Sequence, residues 1–327
     1  MKEKKYVIIG NGIDWLDKCI EGHQNSNTYY TNLRIPMKSN VKIISFIIRC
    51  WFSVRDSNHL VRKLPLRNIW YKYSVFTKFL KGAQDVRFVI YDHNRISLDE
   101  KYISWLRKKY PECKISYIFT NTAIKSGAAD YGYLNKLNSM YDKVFAFDPK
   151  DCETYGYKYH HLIYQPKVDS HKYEQKYDCI FVGGAKERLD SLHSIYKRII
   201  ELGLRPCFYI VGVPEEKQLK NSDIHYNERI PYEKTVQMTY ESKAIIDLLQ
   251  DNSSGIALRI CESVVMNKLI ITDNQYVKDE LFYDPNNILV INDEMDIDIN
   301  FFKHNTISTS DYKYLFSVEH LFDMIEQ

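Results

Sequence analysis

Short apolar runs alternate with segments of helical period along most of this chain. Each run is too short for a helix and therefore predicts a buried β-strand. The predicted strands cover residues 6–9, 87–91, 114–119, 143–147, 177–182, 207–211, 244–249, 269–272 and 288–291. Because helices are expected between them, the pattern favours parallel sheets with right-handed crossovers and an α/β fold class.

Helices are predicted where apolar residues recur three and four positions apart. In residues 190–202, Leu192, Ile195 and Ile199 share one face, and Gly203 marks the end of the helix. Asp14 is expected to begin a helix after the first strand. Residues 314–325 are amphipathic and so have an apolar face to pack against another element.

The length of 327 residues predicts two domains, at a usual size of about 150 residues each. Pro166 and the polar residues 169–176 have the composition of a linker. We therefore predict a first domain over residues 1–166, a second over residues 177–308, and a terminal helix over residues 309–327.

Residues 244–274 are the most informative stretch, with the pattern strand, loop, helix, strand. In the helix, predicted from Ile256, Arg259 and Glu262 are neighbours on one face. The residues just before it lie where unpaired N–H groups and the helix dipole favour an anion. A guanidinium can clamp a diphosphate, and a carboxylate can accept both ribose hydroxyls. The stretch therefore predicts a nucleotide-diphosphate site; a serine-capped helix with an ordinary surface ion pair is the alternative.

The run Gly255-x-x-x-Arg259-x-x-Glu262, followed by Lys-Leu-Ile-Ile-Thr-Asp-Asn at residues 268–274, resembles the donor half of GT-B glycosyltransferases. The resemblance is to those that build bacterial capsule, O-antigen or lipopolysaccharide core. It continues in Phe-Tyr-Asp-Pro-Asn-Asn-Ile at residues 282–288 and in Phe-Ala-Phe-Asp at residues 145–148, with Asp151 and Tyr155-Gly156. It implies a GT-B fold, with two Rossmann-like domains facing each other across a cleft and a terminal helix packing back on the first.

The resemblance also implies which residues bind the donor. Lys186 and Arg188 follow the glycine turn where these enzymes place a basic residue that reaches the diphosphate; solvated turn charges are the alternative. The loop around Pro231, the expected first residue of a helix, corresponds to the place that holds the nucleotide base. The donor-binding candidates are Gly183, Gly184, Lys186, Arg188, Arg229, Ile230, Tyr232, Ser253, Ser254, Gly255, Arg259 and Glu262.

Candidate catalytic bases follow strands of the first domain. Asp92 and His93 come after strand 87–91, where open α/β sheets place their sites, and histidine titrates near working pH. Asp14 follows the glycine loop 10–12, which the resemblance places at the cleft. A turn-forming pair and a helix-start acid are the alternatives. A dinucleotide fingerprint would need a glycine at Trp15, so a dehydrogenase is disfavoured.

No cofactor and no metal are expected. Asp296-Ile297-Asp298 matches the D-x-D metal motif of another glycosyltransferase fold, but it lies past the last predicted strand, in an acidic loop. Retaining GT-B enzymes often show E-x7-E. Glu262 fits the second position of that pattern and Ser254 stands at the first, which leaves the stereochemical outcome open.

Cysteine usage and hydropathy bear on the compartment. The seven cysteines are scattered and form no C-x-x-C, which indicates a reducing cytoplasm. No signal peptide is expected, and no apolar run approaches the ~20 residues that span a bilayer. We expect a cytoplasmic protein, peripheral on the inner face of the cytoplasmic membrane.

Residues 42–82 are strongly basic, since they hold nine Lys or Arg and a single acid, Asp56, with aromatic residues interleaved. Amphipathic helices of this composition bind anionic membrane surfaces. An ordinary helix face and a nucleic-acid patch are the alternatives, and we expect no nucleic-acid partner.

These features predict a hexosyl- or deoxyhexosyltransferase. It would move a sugar from a nucleotide-diphosphate sugar to a hydroxyl of a lipid-linked bacterial surface glycan, with cationic residues in place of a metal. The alternative is a non-catalytic nucleotide-sugar-binding subunit of a glycan assembly complex, which Ser254 and the lack of a clear base keep open.

Overall fold

The computed structural model describes residues 3–53, 67–94, 96–130, 132–166, 173–250, 253–303 and 306–327. Several predictions fall outside these ranges, namely those on Arg55, Arg62, Lys63, Arg95 and residues 169–172 of the linker. The chain divides into two compact units: unit 1 contains Met1–His160 and Asp323–Gln327, and unit 2 contains His161–Phe322.

Unit 1 is built on a parallel sheet of six strands in the order β2-β1-β3-β4-β5-β6. The strands are β1 Lys4–Ile9, β2 Thr28–Thr31, β3 Asp85–Tyr91, β4 Lys114–Ile118, β5 Lys143–Ala146 and β6 Lys158–Tyr159. The consecutive residues Val7, Ile8 and Ile9 are all fully buried, so both faces of the sheet are covered. The strand order reverses between β1 and β3, which makes the loops after these two strands the switch point of the sheet.

The helices of unit 1 connect these strands. They are α1 Asp14–Ile20, α2 Lys42–Ser53, α3 Glu100–Lys109, α4 Gly127–Asp130, α5 Leu137–Met140 and α6 Pro149–Tyr155. α1 begins at Asp14, as predicted. α3 begins where the carboxylate of Asp99 accepts a hydrogen bond from the N–H of Tyr102 at 3.3 Å. α6 begins after Asp148, with Pro149 in its first turn, and it ends at Gly156 in the left-handed conformation.

Unit 2 holds a second parallel sheet of six strands, in the order β12-β11-β10-β7-β8-β9. The strands are β7 Tyr177–Gly184, β8 Pro206–Val211, β9 His225–Tyr226, β10 Ser242–Asp247, β11 Leu269–Thr272 and β12 Ile288–Val290. Ile245 of β10 is in register with Ile180 of β7 and with Ile270 of β11. The order reverses between β7 and β10, so the switch point of this sheet lies where those strands end.

The helices of unit 2 are α7 Leu189–Glu201, α8 Tyr232–Tyr240 and α9 Leu258–Met266, and α10 Val318–Glu326 passes from unit 2 into unit 1. The predicted helix 314–325 was wrong at its start, because Ser310–Phe316 forms a 3-10 helix before α10 begins. None of the helices in the described ranges is long and apolar enough to cross a membrane.

The last turn of α10 is attached to unit 1 by polar contacts. The carboxylate of Glu326 accepts hydrogen bonds from Arg87 Nε at 2.7 Å and from Lys4 Nζ at 2.5 Å. Lys143 Nζ donates to the carbonyls of Met324 and Ile325, both at 2.9 Å. The predicted return of the terminal helix to the first domain is therefore confirmed.

Candidate functional site

Arg188 links the loops that follow β7 and β10 across the switch point of unit 2. It ends the short 3-10 turn Lys186–Arg188, and its guanidinium donates to the carbonyl of Leu248 and, at 3.2 Å, to the carbonyl of Gly184. The guanidinium also lies 5.4 Å from the centroid of the Phe181 ring. These contacts fix a cation at the carboxyl end of the sheet.

Arg259 brings a second guanidinium to the same edge. It lies in the first turn of α9 and donates to the carboxylate of Glu262 and to the carbonyl of Val182 in β7. The Glu262 side chain is only 2% exposed, whereas that of Arg259 is 21% exposed. Burial opposes the charge on Arg259, but the attraction of Glu262 outweighs it, so the pKa of Arg259 lies above its ordinary value.

Asp247 is a buried carboxylate at the end of β10, within the electrostatic reach of both guanidiniums. Burial, against the attraction of Arg188 and Arg259, and with repulsion from Asp273, raises the pKa of Asp247 to about 6. Burial and the charge of Arg259 lower the pKa of Arg188. The edge thus holds two guanidiniums that repel each other, the Glu262 carboxylate paired with Arg259, and the weakly acidic carboxyl of Asp247. An added anion near Arg188 would reduce the repulsion between the guanidiniums.

The glycine turn and the loop after β10 supply the remaining contacts at this edge. Gly183 and Gly184 are the last residues of β7, and a Cβ on Gly183 would lie 3.3 Å from the Phe181 ring. Lys186 donates a hydrogen bond to the side-chain oxygen of Gln250. The backbone carbonyl of Gln250 accepts from the backbone N–H of Ser253 at 3.1 Å. The structure therefore gathers Lys186, Arg188 and Ser253 with Arg259.

Ser254 and Gly255 lie in a buried loop before α9. The predicted helix start at Ile256 was wrong, because the helix begins at Leu258 with Ala257 as its N-cap. No side chain caps it, which excludes the alternative of a serine-capped helix. The physical reason is the side chain of Asn274, which donates to the carbonyl of Gly255 at 3.0 Å and holds this loop at the end of β11.

The three residues predicted to hold the nucleotide base lie between β9 and α8. Arg229 is exposed and Ile230 half-buried, while Tyr232 is the first residue of α8 and Pro231 is its N-cap. Pro231 was expected inside the helix.

The switch point of unit 1 has a buried carboxylate of its own. Asp92, just after β3, accepts hydrogen bonds on Oδ1 from Thr120 Oγ1 at 2.5 Å and from Asn11 Nδ2 at 3.2 Å. Asn11 Nδ2 also donates to Thr120 Oγ1 at 3.1 Å. Burial raises the pKa of Asp92, and its Oδ2 has no hydrogen-bond partner among the described residues.

His93 lies beside that free oxygen. Its Nε2 is 3.6 Å from Asp92 Oδ2, its side chain is 43% exposed, and its φ of 58° is left-handed. The structure therefore brings Asp92 and His93 together, with the imidazole facing solvent. Asp14 is exposed in the first turn of α1, and no hydrogen bond or ion pair between described residues joins it to either.

The described ranges contain no candidate metal-binding cluster. No group of three or more His, Cys, Asp or Glu side chains there could hold a metal ion. In the D-x-D sequence, the carboxylate of Asp296 accepts from the N–H of Asn292 at 2.7 Å and forms a capping box with Asp293. The carboxylate of Asp298 accepts from the N–H of Asn300 at 2.6 Å.

Four residues of these two edges were missed by sequence reasoning: Asn11, Thr120, Asp247 and Gln250. The sequence contained a clue to Asp247, because an acidic residue at the end of an apolar strand lies where open α/β sheets place their binding sites. Asn11 and Thr120 meet Asp92 only through the fold.

Comparison with solved structures identifies similar folds. A trehalose-6-phosphate synthase, studied for glycosyltransfer with retention, has a TM-score of 0.51 and 11% identity, covering 98% of this chain and 95% of that chain. The Glycosylation Associate Protein (Gap123) complex of Streptococcus agalactiae has a TM-score of 0.47 and 10% identity over 80% of this chain and 58% of that one. Sucrose-phosphate synthase of Thermosynechococcus elongatus has a TM-score of 0.45 and 8% identity over 99% and 91%.

This chain has two parallel six-stranded sheets and is similar to the trehalose-6-phosphate synthase over nearly its whole length. Together these findings confirm the predicted GT-B fold. At 11% identity, this likeness establishes the fold alone. No protein-family model matches the sequence, and no curated protein shows significant sequence similarity to it.

Proposed function

We propose that this protein is a glycosyltransferase that takes a sugar from a nucleotide-diphosphate sugar. The observation that carries the proposal is the pair of guanidiniums, Arg188 and Arg259, held by backbone carbonyls at the switch point of unit 2. GT-B proteins are built from such sheets, and open α/β sheets bind nucleotides where the strand order reverses. The substrate fits the charge of the site, because a diphosphate relieves the repulsion between the two cations.

The donor half acts through electrostatics. As the bond from the sugar C1 to the diphosphate oxygen breaks, negative charge grows on the leaving group. Lys186, Arg188 and Arg259 stabilise that charge, so the step needs no metal. The carboxylate of Glu262 is proposed to accept hydrogen bonds from the ribose hydroxyls through lone pairs that Arg259 does not use. Its ion pair with Arg259 keeps the guanidinium in place.

The acceptor half lies in unit 1 in this proposal. For an inverting reaction, His93 takes the proton of the acceptor hydroxyl as the oxygen bonds to the sugar C1 and the nucleoside diphosphate departs. Asp92 faces Nε2 of His93, so Nδ1 is the nitrogen for the acceptor, and the carboxylate stabilises the imidazolium. Asp14 is the weaker candidate because no hydrogen bond or ion pair between described residues joins it to this pair.

The proposed acceptor is a lipid-linked bacterial surface glycan of capsule, O-antigen or lipopolysaccharide type, presented at the cytoplasmic membrane. The exposed side of α2 supports this: Ile43 is 71% and Phe46 is 63% exposed, with Lys42 and Arg49 beside them. An apolar stripe flanked by cations suits an anionic bilayer surface. Of the basic segment 42–82, residues 54–66 lie outside the described part of the chain.

A non-catalytic nucleotide-sugar-binding subunit is the second candidate. It is favoured by Ser254, which is fully buried and stands where many retaining relatives in the resemblance carry a glutamate. Such a subunit would bind the donor in the same way and perform no transfer.

Thermal unfolding with UDP, GDP, CDP, dTDP and NAD tests the proposal. A ligand at a hundredfold excess over its dissociation constant raises stability by ~2.7 kcal/mol. We expect one nucleoside diphosphate to act selectively, and the shift to be lost in Arg259→Met. A response to NAD alone, or none to any nucleotide, would overturn the proposal, and binding without transfer would favour the non-catalytic subunit.

A further inference from the structure

A cavity of about 370 Å³ opens in unit 1 between α2 and the segment that follows β2. Its floor and walls are apolar, its rim carries three cations, and no acidic residue is among those that line it. The principal lining residues are Leu33, Ile35 and Met37 together with Arg34, Lys38 and Arg49. Arg49 and Ser45 are one helical turn apart, so α2 presents one face to the cavity.

The charges of Arg34, Lys38 and Arg49 are not neutralised by a carboxylate of the described residues. All three are exposed, and none forms an ion pair with a carboxylate in the described part of the chain. Unpaired cations around an apolar cavity repel one another and attract an anion. A lining of this kind matches a ligand in which an anionic group is joined to an apolar chain. A bare anion would contact only the cations, and a neutral apolar chain would contact only the apolar wall.

The cavity is connected to the proposed catalytic pair. Arg34 Nε donates to the carbonyl of Asn11 at 3.1 Å, and the Asn11 side chain donates to the carboxylate of Asp92. On the other side, Asn94 Nδ2 donates to the carbonyl of Leu33 at 3.2 Å and to that of Gly10 at 2.6 Å. A ligand bound beside Arg34 therefore lies one residue away from the groups that hold Asp92.

We propose that this cavity binds the lipid end of the acceptor, an apolar chain that carries a phosphate or diphosphate. Leu33, Ile35 and Met37 contact the first part of the chain, and Arg34, Lys38 and Arg49 bind the phosphate oxygens. The glycan attached to that phosphate then extends toward His93. The assignment rests on the proposed function, since it names the part of the acceptor that this surface recognises.

The test measures binding of farnesyl phosphate, kept below its aggregation concentration, to the full chain in the absence of any donor. Farnesol and inorganic phosphate are the two comparison ligands. The variant is Lys38→Gln with Arg49→Gln. The matched control is Lys78→Gln with Lys81→Gln, which removes the same charge from another basic depression of unit 1. Thermal unfolding without ligand checks that each variant folds as the parent does.

We expect farnesyl phosphate to bind the parent and the control alike, and the Lys38/Arg49 variant roughly tenfold more weakly, as for the loss of charge-assisted hydrogen bonds. Farnesol and phosphate should each bind more weakly than farnesyl phosphate. The proposal would be overturned if farnesol or phosphate bound the parent as tightly as farnesyl phosphate does. It would also be overturned if the Lys78/Lys81 control lost as much affinity for farnesyl phosphate as the Lys38/Arg49 variant.

A second arm separates the acceptor from the bilayer. Vesicles of anionic lipid are offered to the same variants. If the Lys38/Arg49 variant loses vesicle binding but keeps farnesyl phosphate binding, the cations serve the membrane surface and the assignment is wrong. Because no donor is present, failure of the glycosyltransferase proposal would show in the nucleotide panel and not here.

Discussion

Arg259 and Glu262 form an ion pair in which the acid is buried and the base is partly open to solvent. They are three residues apart on α9, and the guanidinium reaches from there to the carbonyl of Val182 in the neighbouring strand. The pair therefore has two roles. It anchors the start of α9 to the sheet, and it points a cation at the place where a diphosphate is proposed to bind.

The first prediction concerns stability. Arg259→Ala should lower the free energy of unfolding by about 3 kcal/mol, because it leaves the Glu262 carboxylate buried without its partner. The double variant Arg259→Met, Glu262→Gln removes both charges and should recover much of that loss. Chemical denaturation of the three proteins makes the comparison. Equal losses in the single and double variants would show that the ion pair is not the source.

The second prediction concerns pH and anion binding. The raised pKa of Asp247, about 6, means that its carboxylate is charged above that pH and protonated below it. When charged, it competes with a bound diphosphate for Arg188 and Arg259. Asp247→Asn should therefore bind a nucleoside diphosphate more tightly than the parent at about pH 7.5, and equally at about pH 5.

Isothermal titration of parent and variant at both pH values makes this measurement. Comparing the two proteins at each pH cancels the titration of the nucleotide itself. A difference between parent and variant that is the same at both pH values would show that Asp247 does not titrate against the bound anion.

The third prediction concerns the proposed base. His93→Gln should lower kcat by roughly 10²–10⁴-fold with little change in KM for the donor, because general-base catalysis acts on the transition state. His225→Gln is the matched control, since His225 is exposed and its ion pair is with Glu228. Steady-state kinetics with a saturating acceptor gives both constants. A normal kcat in His93→Gln would move the base to another residue.

The fourth prediction concerns α2. Replacing Ile43 and Phe46 by Ser should weaken binding to anionic vesicles about tenfold or more, since two exposed apolar side chains lose their burial in the bilayer interface. Leu281 and Ile124 are 77% and 63% exposed elsewhere in the chain and provide a control of equal size. Vesicle sedimentation measures both. Equal weakening by the two pairs would indicate non-specific adsorption.

The fifth prediction concerns the end of α10. Burial alone would raise the pKa of Glu326, but hydrogen bonds from Arg87 and Lys4 lower it to about 2. A depressed pKa stabilises the fold above the unfolded value of 4.5, and this contribution is lost as the pH falls toward 2. Glu326→Gln should cost about 2 kcal/mol at neutral pH, the size of a charge-assisted hydrogen bond.

Denaturation curves of Glu326→Gln and the parent at neutral pH and near pH 3 check this. The difference between the two proteins should shrink at the lower pH, because the Glu326 carboxyl of the unfolded parent is protonated there while that of the folded parent is still charged. A constant difference would mean that the glutamine disturbs packing rather than charge.

Most of the fold was predictable because buried parallel strands leave a clear apolar signal. The runs at residues 269–272 and 114–119 were identified with at most one residue of error. β2 was missed, since Thr-Tyr-Tyr-Thr has no aliphatic run, and β6 and β9 are too short to show a pattern. These strands exist because a neighbouring strand offers them hydrogen bonds.

The two candidate sites were only partly predictable. Arg259 and Glu262 are neighbours on one helix, so their spacing in the sequence already indicates their pairing. Asn11 and Thr120 lie 81 and 28 residues from Asp92, and only the parallel order of β1, β3 and β4 brings them together. The start of α9 was misplaced because the bond from Asn274 to Gly255 is a tertiary contact that local pattern does not encode.

The attachment of Glu326 to Arg87 and Lys4 has a consequence for biosynthesis. Asp323–Gln327 belong to unit 1 but are translated after the whole of unit 2, which separates them from Met1–His160. While the ribosome still holds α10, the amino-terminal sheet has emerged, but the Glu326 carboxylate that pairs with Arg87 and Lys4 has not. During the synthesis of unit 2, β1 and β3 of unit 1 therefore lack their contacts with Glu326, which form only after the end of α10 has left the exit tunnel.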